Sequence, residues 1–152
     1  SSLDKSAKYD VYKLVNHGYK ETMGRIGKFP FPMSVEEALS YIKNKLEIPV
    51  LRYAGNRDRL VEKIAILGGA GAEFAEVAKS MGADLYLTGD LKYHEAQDAA
   101  MNGLVIADGG HFYTERVIIP YLAKRLRDEF KTRGWNVGVL EDVRAKDIFH
   151  CV

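Results

Sequence analysis

Between Ile64 and Glu115 the chain repeats one pattern: an apolar run, a short turn bearing glycine or aspartate, then a helical stretch. Ile64-Ala65-Ile66-Leu67 empties into Gly68-Gly69-Ala70-Gly71, Leu85-Tyr86-Leu87 into Thr88-Gly89-Asp90, and Leu104-Val105-Ile106-Ala107 into Asp108-Gly109-Gly110. Continuous apolar runs of this kind predict strands covered on both faces, and strand-turn-helix units in series predict a sheet sandwiched by helices. The chain is therefore expected to be α/β, a layered fold with a mostly parallel or mixed sheet between helices. In open sheets of that class ligands gather beyond the carboxyl ends of the strands, where all three junctions would meet if their strands run parallel.

The chemistry-bearing residues crowd those junctions. If His111 begins a helix, Glu115 stands one turn on and on the same face, so an imidazole nitrogen and a carboxylate project together as a ligand pair for a metal ion. A solvated first-turn glutamate beside a satisfied histidine would present the same spacing. The helix start after Gly109-Gly110 also aims unpaired N–H groups at any anion the metal holds. The preceding junction repeats the arrangement, with Asp90 just after the strand and His94 four residues before Asp98. Asp90 and Asp108 are equally able to act as turn formers and caps. Gly68 to Gly71 brings backbone N–H groups to a strand-helix turn, which serves either anion binding or tight packing. Neither a dinucleotide fingerprint nor a nucleotide P-loop is complete there, because Phe74 replaces the further glycine and no Lys-Ser or Lys-Thr follows.

The rest of the chain reads as scaffold. Residues 1–8 lack apolar periodicity and are expected to be a linker or disordered start, with residues 9–152 forming a single α/β domain. Tyr9 to Val15 alternates like a strand, and Asn16-His17-Gly18 like a turn. Thr22 to Phe29 predicts a bent strand, stopped by Pro30-Phe31-Pro32-Met33. Ser34 and Glu37 form a capping box for a helix through about Lys45, with Val35, Ala38, Leu39, Ile42 and Leu46 on its apolar face. Pro49 to Tyr53 predicts a short edge strand. A long amphipathic helix runs from Phe112 to Arg133, kinked or divided by Pro120, and Trp135 to Leu140 predicts a final strand. Lys plus Arg total 22 against 21 acids, so bulk charge offers no drive toward nucleic acid. No apolar run approaches membrane-spanning length, and the single cysteine, Cys151, suits a reducing cytoplasm.

Taken together, Met23-Gly24-Arg25-Ile26-Gly27 with Pro32-Met33-Ser34, then Gly68-Gly69-Ala70-Gly71, Thr88-Gly89-Asp90-Leu91-Lys92-Tyr93-His94 and Asp108-Gly109-Gly110-His111 running to Glu115, resemble the Nif-three-like family. That family is also described as GTP cyclohydrolase type-two homologues with a dinuclear metal centre, and the resemblance is to its C-terminal portion. It implies that His111 and Glu115 are ligands of a two-metal site holding zinc, iron or manganese, with Asp90, Tyr93 and His94 near it. His94 would move a proton, Asp90 would join it among the catalytic groups, and Gly69 and Gly71 would hold a phosphate of a nucleotide-like substrate. It further implies a toroidal homo-oligomer. The family's paired histidine motif is absent from this sequence, so the chain alone is expected to be inactive.

Overall fold

Leu85 and Leu87 point to one face of a sheet and Tyr86 to the other, and Val105, Ile106 and Ala107 repeat the alternation one strand away. Both faces are buried. A computed structural model of the chain describes residues 9, 10 and 23–150, and the predicted features at residues 1–8, 11–22 and Cys151 lie outside them. In chain order the elements are β1 (Tyr9–Asp10), β2 (Arg25–Ser34), α1 (Val35–Leu46), β3 (Arg52–Ala54), β4 (Leu60–Ala70), a 3-10 turn (Ala72–Phe74) and α2 (Ala75–Ser80). There follow β5 (Leu85–Gly89), α3 (Tyr93–Met101), β6 (Val105–Asp108), α4 (His111–Glu115) and α5 (Ile118–Thr132).

The strands form one mixed α/β sheet in the order β1-β2-β4-β5-β6-β3. The three central strands β4, β5 and β6 run parallel, as their apolar runs predicted, and the flanking pairs are antiparallel. On one face α1 contributes Val35, Ala38, Leu39 and Ile42 to a core with Leu85, Leu87, Val105 and Ala107, and Tyr113 of α4 packs on it. On the other, Ala78 of α2 and Ala99 of α3 cover Ile26, Ala65, Tyr86 and Ile106. The Ser34–Glu37 capping box is formed at the start of α1.

Several boundaries differ from the sequence-based expectation. Pro30 and Pro32 do not stop β2, which continues to Ser34. Its pairing with β4 is interrupted between Lys28 and Met33, so neither proline has to donate to a ladder. β4 likewise runs through Gly68 and Gly69 to Ala70, with a register shift after Ile66, so the first glycines are strand rather than turn. The long final helix is divided: α4 ends at Glu115 and Pro120 sits in the first turn of α5, where its missing N–H has no helical partner to lose. Gly134, at φ 68°, follows the end of α5. Trp135 to Leu140 is not a strand. That segment is held instead by Arg127, which donates to the Val139 carbonyl at 3.0 Å and pairs with Glu141. No helix among the described residues is long and apolar enough to cross a membrane.

Candidate metal site

The ends of β5 and β6 lie side by side, since Thr88 pairs with Asp108. Gly89 ends β5 against the start of α4: a Cβ at Gly89 would fall 2.9 Å from the Gly110 carbonyl carbon and 3.0 Å from His111 N. Only glycine leaves room for that approach. The next residue, Asp90, adopts φ 57° and places its carboxylate 2.7 Å from His111 Nδ1. On the other side of the ring, His111 Nε2 lies 3.2 Å from Glu115 Oε2, the two residues standing one helical turn apart. His111, Asp90 and Glu115 are each about half exposed, at 50%, 51% and 54%, so the cluster opens to solvent. The hydrogen bond to Asp90, reinforced by the charge of Glu115, raises the His111 pKa above its ordinary value despite slight desolvation.

Gly69 forms the floor. At φ 69° it is in the left-handed region, and a Cβ there would collide with Glu115 Oε1 and lie 3.3 Å from His111 Cε1. Two buried threonines hold it in place. The Thr114 hydroxyl accepts from Gly69 N at 3.0 Å while donating back to the Gly110 carbonyl at 2.8 Å, and the Thr88 hydroxyl donates to the Gly69 carbonyl at 2.9 Å. Gly71 is a packing position, where a Cβ would meet the Leu67 side chain and, at 2.9 Å, Thr88 Oγ1. Tyr86, on the opposite face, donates from its hydroxyl to the Gly71 carbonyl at 2.7 Å, and its burial pushes its pKa up to about 12.

Asp108 has a different part from Asp90. It is only 7% exposed and ion-pairs with Arg52 at 2.5 Å, accepts from Gly110 N at 3.0 Å and reaches Leu91 N at 3.3 Å. It is the buried staple that joins β3, the Asp90 turn and the start of α4. His94 and Asp98 are exposed on α3, and His94 is one of the groups that lower the Glu95 pKa. Tyr93 is 81% exposed. Thr88, Thr114, Gly89 and Arg52 are the contributors that motif spacing does not disclose, since their importance lies in contacts between elements distant in sequence.

Two ligands of zinc-like length at a tetrahedral angle stand about 3.4 Å apart, and the 3.2 Å between Nε2 and Oε2 matches that bite. The missing Cβ of Gly69 is what lets the Glu115 carboxylate lie beside the ring in this position. These two residues fit half of a metal shell, and among the described residues no group of three or more His, Cys, Asp or Glu forms a metal-holding cluster. α4, at five residues, is too short for its N-terminus to be an anion site of its own.

Comparison with known proteins agrees with this architecture. Residues 3–146 match the sequence profile of Duf34/NIF3 (NGG1p interacting factor 3). A "GTP cyclohydrolase 1 type 2 homolog" of Bacillus subtilis is 34% identical over 131 residues, covering 86% of this chain and 35% of the relative. A protein of the same description from Clostridium perfringens is 35% identical, covering 86% of this chain and 48% of its own length. The crystal structure of a Bacillus cereus protein related to NIF3 superimposes with a TM-score of 0.82 at 35% identity, covering 86% of this chain and 35% of that one. The chain thus spans between a third and a half of the length of these relatives.

Proposed function

Because the chain belongs to the Duf34/NIF3 family, we propose that it is the metal-binding C-terminal part of a dinuclear metal-dependent, hydrolase-like protein acting on GTP or a related nucleotide. The observation that carries the reading is the 3.2 Å spacing of His111 Nε2 and Glu115 Oε2 at the end of a parallel strand, with no Cβ opposite them. His111 and Glu115 would hold a divalent ion, zinc, iron or manganese by donor chemistry, and the remaining ligands of the pair would come from sequence beyond this chain. Such ions, when bound, would supply Lewis-acid chemistry for hydrolysis near neutral pH. A substrate phosphate would approach on the solvent side of the two ligands, with the end of β4 at Gly69 beneath Glu115 and Gly71 serving to pack Leu67 and Thr88. His94, exposed one helix away, is the candidate for moving a proton if substrate extends toward α3. That relatives of this chain are described as GTP cyclohydrolase homologues supports the nucleotide class.

In the full-length protein, His111→Ala and Glu115→Ala are each expected to lower bound metal and abolish hydrolysis together, with the circular dichroism of the wild type retained. Elemental analysis after chelator-free purification measures this, and unchanged metal in both variants would remove the basis of the reading. A second reading, a non-catalytic metal-binding interaction scaffold, is favoured by the apolar residues Ile118, Ile119, Tyr121 and Leu122, which α5 leaves exposed. Nucleotide turnover by the metal-loaded full-length protein separates the two.

A further inference from the structure

The geometry points to Asp90 as the positioning residue of the candidate metal site: its carboxylate fixes the His111 ring by accepting from Nδ1–H, which presents Nε2 to the cation. This inference rests on the metal reading above and concerns the one carboxylate in the cluster that faces away from the ligand side. Both ring nitrogens of His111 lie against carboxylates, Nδ1 at 2.7 Å from Asp90 and Nε2 at 3.2 Å from Glu115. The two carboxylates thus stand on opposite ring nitrogens, so a cation shared by Nε2 and Glu115 leaves the Asp90 contact at Nδ1 in place. A carboxylate on the distal nitrogen of a metal-bound histidine sets its tautomer and raises its basicity.

The backbone is built to place Asp90 there. A non-glycine residue at φ 57° carries a conformational cost that glycine would not. The conformation is held from both sides. Gly89 packs on the first residues of α4, while Leu91 donates its N–H to the buried Asp108 and its carbonyl faces Arg52. An ordinary turn aspartate caps its own backbone. Asp90 instead reaches across to α4, from the junction after one parallel strand to the junction after the next.

The test compares Asp90→Gly and Asp90→Asn with wild type and His111→Ala in the full-length protein, measuring zinc affinity by chelator competition and stability of the metal-free form by denaturant unfolding. Asp90→Gly is expected to weaken zinc binding by about 10–100-fold while the metal-free protein unfolds at the same or a higher denaturant concentration. Asn tolerates the same backbone conformation and keeps an accepting oxygen, so Asp90→Asn should fall between wild type and Asp90→Gly. A turn residue without a positioning role would leave zinc affinity within twofold in both variants, and that result overturns the inference. Should Asp90→Gly also destabilise the metal-free protein, the Asp90→Asn affinity decides, because that variant keeps the turn. Loss of zinc in His111→Ala with unchanged affinity in the Asp90 variants defeats only the positioning role. Full zinc retention in His111→Ala defeats the metal reading and the role of Asp90 with it.

Discussion

Gly69 and Gly89 are the positions at which one methyl group would reach the candidate site, and they would do so differently. At Gly69 the colliding atom is the end of the Glu115 side chain, which can swing away and take its carboxylate out of register with His111. At Gly89 the atoms are the backbone of Gly110 and His111, which have no such freedom. Gly89→Ala must therefore push the start of α4 off β5. Overpacking of this kind costs about 1–3 kcal/mol, and the shift carries His111 away from Asp90. The expected outcome is a lower unfolding midpoint together with reduced metal binding, read by denaturant titration and elemental analysis on one preparation. Normal stability and metal content in Gly89→Ala would mean that the two elements need not touch. The motif Thr88-Gly89-Asp90 was visible in the sequence, but its glycine could not be assigned this task, because the clash involves residues three elements further on.

At the scale of elements, the parallel strands are clamped where β5 begins. The Asp84 carboxylate accepts from the Glu62 and Lys63 N–H groups of β4 at 3.0 and 2.9 Å and pairs with Arg59 at 2.7 Å. Burial, the largest single influence, pushes its pKa up, yet the Lys63 and Glu62 N–H groups and the Arg59 guanidinium together hold it below the ordinary carboxylate value. A carboxyl whose pKa is lower folded than unfolded adds stability above its unfolded pKa, about 4, and loses it as pH falls through the folded value. Asp84→Asn should cost about 1–3 kcal/mol at neutral pH and flatten the acid limb of the stability profile below about pH 4. Parallel losses in variant and wild type down to low pH would exclude Asp84 as a contributor to that limb. The same scale shows where local pattern reading fell short. Two prolines predicted the end of β2, and the alternating Trp135-Asn136-Val137 predicted a strand, because propensity sees neither an interrupted ladder nor whether a segment pairs with a partner strand.

Across the whole molecule, the two faces of the sheet are covered by α1 and α4 on one side and by α2 and α3 on the other, whereas α5 buries only Ala123. Ile119 and Leu122 are 44% and 46% exposed, and Val137, Leu140 and Phe149 beyond the helix are more so. Surface of this kind favours association, and we propose, as the family resemblance implies, that the full-length protein is a homo-oligomer. Light scattering is expected to give a multiple of the subunit mass, lowered by Ile119→Glu with Leu122→Glu, and a monomer for the unsubstituted protein would reject the proposal. What the sequence by itself determined was the mixed α/β class, the three apolar strands, the capped helix α1 and the family resemblance, all written in short-range periodicity and turn chemistry. Only the tertiary structure showed what surrounds each of the two histidine-acid pairs of equal spacing. His94 and Asp98 lie on a helix turned to solvent, while His111 and Glu115 lie where Gly69, Gly89 and Asp90 converge. The physical reason is strand order. β5 and β6 are parallel neighbours, so the residue leaving one strand meets the helix leaving the next, and spacing along the chain carries no record of that adjacency.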